Sequence, residues 1–191
     1  MNKNFEKSLP EGYVEVFAID ANDKKTMRKL SLVSLLIIGL YLAILSVFTP
    51  INLHIMSDDK IIGTFILGMI GYIIAHELLH GLVYKVCTHQ KLKYGFSLAV
   101  AYCGVPNIFV YRKTALLSLA APLVLFSMFF IVLLCIVDAP NWHLMIALLF
   151  GIHLSGCVGD IYDIFLYLVR YKDKSILMND TGPKQTFYAK E

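Results

Sequence analysis

The sequence predicts an all-α membrane protein with about four transmembrane helices and a short β-hairpin or re-entrant loop between the second and the third. Hydrophobic residues make up 58% of the chain and charged residues only 16%, whereas soluble domains contain about 45–50% and about 25%. The apolar residues are concentrated in four long runs, each able to cross about 30 Å of hydrocarbon. The 191 residues therefore suit a single membrane-embedded domain.

The four predicted spans are separated by polar connections, and polar segments precede and follow them. Their expected limits are about 30–48, 61–84, 115–137 and 143–169. Before the first span, residues 13–19 alternate weakly between apolar and polar and predict a short strand. After the last span, a polar tail contains an Asp-Thr-Gly-Pro turn signal at 180–183. In the connection at 51–60, the charged residues 58–60 are expected to be in water.

The longest connection, residues 85–113, is too short and too broken for a further span. Residues 96–102 alternate large and small side chains, a turn signal follows at 104–107, and residues 108–111 are apolar and β-favouring. This pattern predicts the hairpin or re-entrant loop. Two roles are open for it: an interfacial loop, or a strand edge that receives an extended peptide by main-chain pairing.

Lysine and arginine are distributed unevenly among the connections. The segment before the first span carries 6, the loop after the second carries 5 and the tail carries 5, whereas the other two connections carry 1 and 0. The positive-inside rule then predicts a multi-pass protein of the cell membrane with both termini in the cytoplasm. This topology and contact with the lipid bilayer account for the net charge of +3, so nucleic acid is not an expected partner.

The second span contains His76-Glu77-Leu78-Leu79-His80, which has the pattern H-E-x-x-H. On a helix the two histidines lie on one face, about 6 Å apart along the axis, within reach of one zinc ion. Glu77 adjoins the first histidine and is the candidate general base. The alternative is an inert, hydrogen-bonded pair of histidines, but ionisable groups in a membrane span are costly and usually functional.

A catalytic zinc site needs a third protein ligand. The one glutamate after Glu77 is the final residue, Glu191, and no third histidine follows at the spacing of the extended soluble motif. The fourth span carries Asp160 and Asp163, and Asp160 falls at the same expected depth as the two histidines. We therefore favour Asp160 as the third ligand and keep Asp163 as the alternative.

Other polar and small residues of the fourth span have structural interpretations. His153 lies two turns from Asp160, about 10.5 Å along the axis, which is too far to bind the same ion. It is interpreted as a hydrogen-bonded packing residue. The stripe formed by Gly151, Ser155 and Gly159 is expected to let the fourth span pack closely on the second.

Four short motifs occur together in this chain: LPEGY at 9–13, HELLH at 76–80, SGCVGD at 155–160 and DTG at 180–182. With them the sequence resembles the site-2 protease group of intramembrane zinc metallopeptidases. It is more closely similar to a small bacterial family of putative zincin peptidases, a domain of unknown function. The resemblance implies a Zn²⁺ cofactor with His76, His80 and Asp160 as ligands and Glu77 as the base.

Two functions from different classes follow. The first is an intramembrane zinc metallopeptidase that hydrolyses peptide bonds of membrane-associated peptides or proteins at its H-E-x-x-H site. The second is a non-catalytic multi-pass membrane protein, a binding or protective factor in which a structural zinc site joins the second and fourth spans. Ion transport has weaker support, because the polar residues form one cluster rather than a path across the bilayer.

Overall fold

The structure is a computed structural model that describes residues 3–48, 59–96, 100–172 and 175–190. Within these residues the helices are α1 Lys24–Phe48, α2 Asp59–Thr88, α3 Arg112–Ile136, α4 Pro140–Gly156 and α5 Val158–Phe165. A π-helical segment, Leu166–Arg170, continues α5. The strands are β1 Phe5–Glu6, β2 Tyr13–Asp20, β3 Lys93–Phe96, β4 Ala101–Gly104, β5 Phe109–Tyr111, β6 Ile176–Asp180 and β7 Lys184–Lys190.

Three helices, α1, α2 and α3, are long and apolar enough to cross a membrane, and the pair α4–α5 makes a fourth if it is taken as one span. The predicted span 143–169 corresponds to this pair, whose axis bends by 41°. Cys157 stands at the break with φ −76° and ψ 7°, outside α-helical values. Gly156 and Gly159 flank it, and glycine weakens a helix.

The helices extend beyond the apolar runs that predict them. α1 begins at Lys24 because Asp23 caps its first turn, with Asp23 Oδ2 accepting from Thr26 N at 2.9 Å and from Thr26 Oγ1 at 2.6 Å. Hydropathy marks the part of a helix that suits hydrocarbon, whereas capping and backbone hydrogen bonds decide where the helix begins and ends.

The predicted all-α class needs correction, because the described residues include a five-stranded antiparallel sheet of order β1-β5-β6-β7-β2. The strand expected at 13–19 is present as β2, and the segment 108–111 contains β5. The tail, expected to be polar with one turn, instead forms β6 and β7. β2 pairs with β7 from Tyr13↔Lys190 to Asp20↔Lys184. The chain is therefore mostly helical with a small sheet.

The turn predicted at 180–183 joins β6 to β7. Gly182 has φ +94°, a conformation that favours glycine, and its N–H donates to Asp180 Oδ1 at 2.9 Å. Gly104, at the end of β4, lies so close that a Cβ there would be 2.3 Å from the Gly182 nitrogen. This contact joins the sheet to the β3–β4 hairpin.

A hairpin between the second and third spans is present, but its strands differ from the predicted ones: β3 and β4 pair from Lys93↔Gly104 to Phe96↔Ala101. The segment 108–111, predicted to complete the hairpin, instead contributes β5, which pairs with β1 and β6. Residues 97–99 of the hairpin lie outside the described residues, as do residues 51–58 of the predicted connection. The hairpin packs on α2, where a Cβ at Gly81 would lie 1.9 Å from the Tyr94 hydroxyl. A glycine on α2 thus permits the close approach of the hairpin.

The small residues of α4 pack on α1, whereas the sequence analysis expects them to pack on α2. A Cβ at Gly151 would lie 2.6 Å from the Tyr41 ring and 2.9 Å from Ile38, both on α1. Ser34 Oγ of α1 donates to the Ser155 carbonyl at 2.7 Å. Small residues permit a close approach but do not select the partner helix, so this prediction was wrong.

Two apolar clusters position the H-E-x-x-H helix. One buries the inner face of the sheet and includes Tyr84 of α2. The other lies between α2, α3 and α4 and includes Tyr72 of α2. His76 and His80 lie between these two tyrosines, at successive turns of the same helix face. The candidate site is therefore fixed by packed side chains on both sides along α2.

Candidate functional site

The structure brings together the three residues expected to bind metal. His76 and His80 are 9% and 8% exposed, and their Nε2 atoms are 3.2 Å apart. Asp160, in the first turn of α5, places Oδ2 3.3 Å from Nε2 of His76 and Oδ1 3.5 Å from Nε2 of His80. Two imidazoles and a carboxylate thus converge from two helices that are distant in sequence.

His80 is oriented by a backbone carbonyl of α3 that a proline leaves free. Pro122 has no N–H, so the carbonyl of Ser118, four residues earlier, lacks its usual helical partner. His80 Nδ1 lies 3.0 Å from that oxygen. Because a carbonyl only accepts, the ring proton is on Nδ1. The lone pair of the neutral ring is therefore on Nε2, the atom that faces His76 and Asp160.

His76 is linked through a tyrosine to a second buried histidine. Its Nδ1 lies 3.1 Å from the Tyr72 hydroxyl, and that hydroxyl lies 2.9 Å from His153 Nδ1. His153 is fully buried, and its Nε2 lies 3.1 Å from Ser127 Oγ. His153 is a hydrogen-bonded packing residue, as expected, but it also reaches the site through Tyr72.

Glu77 is reached from two cavities. One, of about 590 Å³, is also lined by His76, His80 and Asp160, and extends to α1 and the 180–183 turn. The other, of about 650 Å³, lies between α2 and the β3–β4 hairpin and has almost entirely apolar walls. Glu77 and Tyr102 line both cavities. The carboxylate next to the histidines is therefore accessible from a mixed and from an apolar side.

Asp163, the alternative third ligand, does not join the histidines. It is 1% exposed, and in the described part of the chain no hydrogen bond or ion pair links it to His76 or His80. Its Oδ1 has no hydrogen-bond partner there, and neither does the Tyr167 hydroxyl. The two aspartates of α5 therefore differ clearly in their surroundings, and only Asp160 faces the imidazoles.

A further carboxylate, Asp180 at the end of β6, connects the sheet to the site-bearing helix. Asp180 is 2% exposed, and its Oδ2 accepts from the Tyr84 hydroxyl at 2.8 Å. Burial raises the pKa of this carboxyl from 3.8 to about 6, against the opposing effect of the hydrogen bonds from Gly182 and Tyr84. Tyr84 lies one turn beyond His80, so this bond holds α2 against the sheet.

Two other sets of side chains place ligand atoms close together: His76, Glu77 and His80 in one, and His76, His153 and Cys157 in the other. The first belongs to the site already described. In the second, the Tyr72 hydroxyl lies between the two histidines, so hydrogen bonds account for its compactness.

Tyr72, Ser118 and Pro122 contact or shape the site, a role that the sequence did not predict for them. Tyr72 precedes His76 by four residues and so shares its helix face. A proline within a helix signals a free carbonyl four residues earlier. Which donor meets that carbonyl depends on how α3 packs on α2, and no sequence pattern reveals that.

The chain is similar to one described family. A family model described as putative zincin peptidase matches residues 69–176, which is more than half of the chain. The matched part runs from within α2 to the start of β6, and it includes the H-E-x-x-H sequence and Asp160. No curated protein and no solved structure matches the chain.

Proposed function

The chain belongs to the family described as putative zincin peptidase, and from this premise we propose that it is a zinc metallopeptidase of the membrane. The proposed ligand atoms are Nε2 of His76, Nε2 of His80 and the carboxylate of Asp160. Glu77 is the proposed general base. The observation that supports this assignment most directly is the convergence of the three donor groups within 3.5 Å of one another.

The donor set and its spacing fit a zinc ion. Two imidazoles and one carboxylate are a usual catalytic set, with zinc about 2.0–2.1 Å from each donor atom. The edges of a tetrahedron built on those distances are about 3.3–3.4 Å. The two Nε2 atoms are 3.2 Å apart, and the two carboxylate oxygens of Asp160 lie close to this spacing, Oδ2 at 3.3 Å from His76 and Oδ1 at 3.5 Å from His80. A bound cation would also offset the repulsion between the lone pairs of the two Nε2 atoms.

The proposed reaction is the hydrolysis of a peptide bond. Zinc, when bound, would lower the pKa of a water molecule towards about 7 and polarise the substrate carbonyl. Glu77, next to His76 and lining the same cavity, takes the proton of the attacking water on its carboxylate and delivers it to the leaving amine. The Ser118 carbonyl keeps the proton of His80 on Nδ1 and so leaves Nε2 free to bind.

Insertion in a bilayer is part of the proposal. It is supported by three or four helices of sufficient length and apolarity and by α1, which has no buried residue. Leu36, Val47 and Phe48 of α1 are 72–80% exposed. An apolar helix with so much exposed surface is stable in lipid and unfavourable in water.

The proposed topology is multi-pass with both termini in the cytoplasm. The pairing of β2 with β7 supports it, because two strands of one sheet outside the hydrocarbon lie on the same side of the membrane. The excess of lysine and arginine in the terminal segments and the long loop supports the assignment of that side to the cytoplasm.

We propose a membrane-associated peptide or protein as the substrate. The apolar cavity beside Glu77 is lined by Ile70, Ile74 and Leu78 of α2, which are about half exposed and would face lipid. β4 contributes Ala101 and Tyr102 to both cavities and pairs with β3 alone in the described residues. Its other edge suits main-chain pairing with an extended peptide.

The test is a comparison of cleavage in membranes that contain the wild-type protein or Glu77→Gln. Newly formed peptide N-termini are identified by amine labelling and mass spectrometry, and bound zinc is measured in both proteins. We expect Glu77→Gln to retain zinc. The N-termini that the wild type produces should form about 10²–10⁴-fold more slowly in the variant, since the amide cannot accept the proton. Identical sets of N-termini would contradict the peptidase assignment.

A protein that binds zinc without any Glu77-dependent cleavage would instead support the non-catalytic reading. The metal would then join α2 to α5, and the protein would act through a binding partner. Retained zinc in Glu77→Gln separates this outcome from a variant that has simply lost its fold.

A further inference from the structure

We propose that Tyr72 and His153 are positioning residues that hold the His76 ring in the one tautomer able to bind a metal ion through Nε2. This inference rests on the proposed function, because it takes His76 Nε2 as a ligand atom. It adds two residues, on α2 and α4, to the machinery of the site.

The observation is a continuous chain of hydrogen bonds that leads away from the site. It runs from His76 Nδ1 to the Tyr72 hydroxyl at 3.1 Å, and from that hydroxyl to His153 Nδ1 at 2.9 Å. It ends at Ser127 Oγ of α3, 3.1 Å from His153 Nε2. Three helices therefore contribute to the orientation of one imidazole ring.

The direction of donation along these hydrogen bonds follows from the number of protons available. If Nε2 of His76 keeps its lone pair for a metal, the ring proton is on Nδ1 and donates to Tyr72. The single proton of the Tyr72 hydroxyl is then free to donate to His153 Nδ1. His153 consequently carries its own proton on Nε2 and donates it to Ser127. Each of the three protons in this arrangement, on His76 Nδ1, the Tyr72 hydroxyl and His153 Nε2, has one acceptor, and no two protons meet.

The surroundings of His153 are compatible with the same direction. Cys157 Sγ lies 3.5 Å from His153 Nδ1, so a thiol and a hydroxyl, each carrying one proton, converge on this nitrogen. When both donate to it, Nδ1 is the unprotonated ring nitrogen. The rings of Phe126, Phe130 and Phe150 pack around His153 and leave it fully buried, so water cannot replace Tyr72 as its partner.

The two histidines of the site are thus fixed by different means. His80 donates to a backbone carbonyl, the common partner for a metal-binding imidazole. His76 donates to a tyrosine whose own proton must be taken up elsewhere, and His153 supplies that acceptor. Partners of this kind typically change metal affinity by about 10–100-fold when they are removed.

The experiment measures the zinc dissociation constant of the full-length protein in detergent by competition with a chelating indicator. Tyr72→Phe should raise the constant by about 10–100-fold. His153→Leu should have a similar effect, because Tyr72 then loses its imidazole acceptor and keeps only Cys157 Sγ, a weak acceptor. His153→Asn has nearly the size of the leucine variant but keeps an oxygen near the Nδ1 position, so it should restore most of the affinity.

Tyr41→Phe is the matched control, since it also removes a tyrosine hydrogen bond to α4, from Tyr41 to the Ala147 carbonyl at 2.9 Å. This bond has no link to the histidines, so zinc affinity should not change. A second readout needs no metal: the ¹⁵N ring shifts of His76 in zinc-free protein. They should show a larger fraction of rings protonated on Nδ1 in the wild type and His153→Asn than in Tyr72→Phe.

The outcomes separate this inference from the proposed function. Equal zinc affinity in the wild type and Tyr72→Phe overturns the positioning role and leaves the peptidase assignment standing. Equal losses in His153→Leu and His153→Asn also overturn it, since packing rather than hydrogen bonding would then explain the effect. A wild type without zinc affinity overturns the proposed function, and the tautomer measurement alone then decides whether Tyr72 sets the His76 ring.

Discussion

Asp160 and Asp163 are three residues apart on one short helix, yet their carboxylates have different surroundings. Asp160 lies beside both imidazoles, whereas Asp163 is buried and its Oδ1 lacks a hydrogen-bond partner among the described residues. A carboxylate that approaches two imidazoles can share a cation with them, and one that is buried without a partner gains nothing from ionising. At the residue scale, contact separates the two candidates for the third ligand.

We predict that Asp160→Asn and Asp163→Asn have opposite outcomes for metal binding. Asp160→Asn replaces a charged ligand by a weaker neutral one, so zinc should be lost or bound at least about 10-fold more weakly. Asp163→Asn keeps the side-chain volume and removes no contact with the histidines, so it should retain about one zinc per chain. Metal content of the two purified variants measures this, and loss of zinc from Asp163→Asn alone would contradict the assignment.

Asp180 predicts a pH dependence of stability. Burial raises the pKa of its carboxyl in the folded protein from 3.8 to about 6, so between these values the folded protein holds a proton that the unfolded chain has released. The contribution of Asp180 to the free energy of unfolding is therefore fully present below about pH 4. It is lost as the pH rises through about 6, and the loss is at most about 3 kcal/mol.

The measurement is denaturant unfolding in detergent at several pH values, for the wild type and Asp180→Asn. The variant has no proton to exchange at this position, so the difference between the two free energies of unfolding should change between pH 4 and pH 6. Parallel pH profiles would show that Asp180 does not titrate in this range.

At the scale of elements, α3 lacks one helical hydrogen bond and makes a contact with His80 in its place. Pro122 costs α3 one backbone hydrogen bond, and the carbonyl of Ser118 thereby released accepts the proton of His80. Ser118 also donates through Oγ to the His80 carbonyl at 3.3 Å. One residue of α3 thus holds both the side chain and the backbone of His80, a proposed ligand on α2.

We predict that Pro122→Ala stabilises α3 and weakens metal binding. The new N–H would close the helical bond to the Ser118 carbonyl and compete with His80, which should lower zinc affinity roughly 10-fold. Removing a proline from a helix interior favours the helix by up to about 3 kcal/mol. Zinc competition and thermal unfolding measure the two effects. Met128→Ala, at an exposed position of the same helix, is the control, and an unchanged zinc affinity in Pro122→Ala would contradict the role of the free carbonyl.

At the scale of the whole molecule, the two ends of the chain are joined in one sheet. β1 and β2 come from the N-terminal segment, β6 and β7 from the tail, and β5 from the long loop. The sheet packs against Tyr84 of α2 and Leu119 of α3. The hydrogen bond from Tyr84 to Asp180 joins it to the helix that carries the histidines, so the polar ends of the chain support the site.

This architecture predicts the accessibility of the two ends from outside the cell. Lys7→Cys and Lys190→Cys, both at exposed positions, are made separately in a chain in which Cys87 and Cys135 are serine. A membrane-impermeant maleimide should label neither in intact cells and both after permeabilisation. Asp138→Cys, in the connection between α3 and α4, should be labelled in intact cells. Labelling of the two ends from opposite sides would contradict the proposed topology.

Sequence by itself determined the helical, apolar character of the chain, the candidate ligands His76 and His80, the candidate base Glu77 and a pair of candidate aspartates, Asp160 and Asp163. These features depend on local composition and on the 3.6-residue period of a helix, and both are visible in short stretches of sequence. It also indicated β2, β5, a hairpin between the second and third spans and the 180–183 turn, because alternation and turn residues are local signals, although the strands of the hairpin were placed wrongly.

Only the tertiary structure decided which elements meet. The pairing of β2 with β7, the packing of the small residues of α4 on α1, the contact of Asp160 with both imidazoles and the links from His76 to His153 and from His80 to Ser118 all join parts distant in sequence. Their geometry is set by the simultaneous packing of many side chains, and no short stretch of the sequence specifies it.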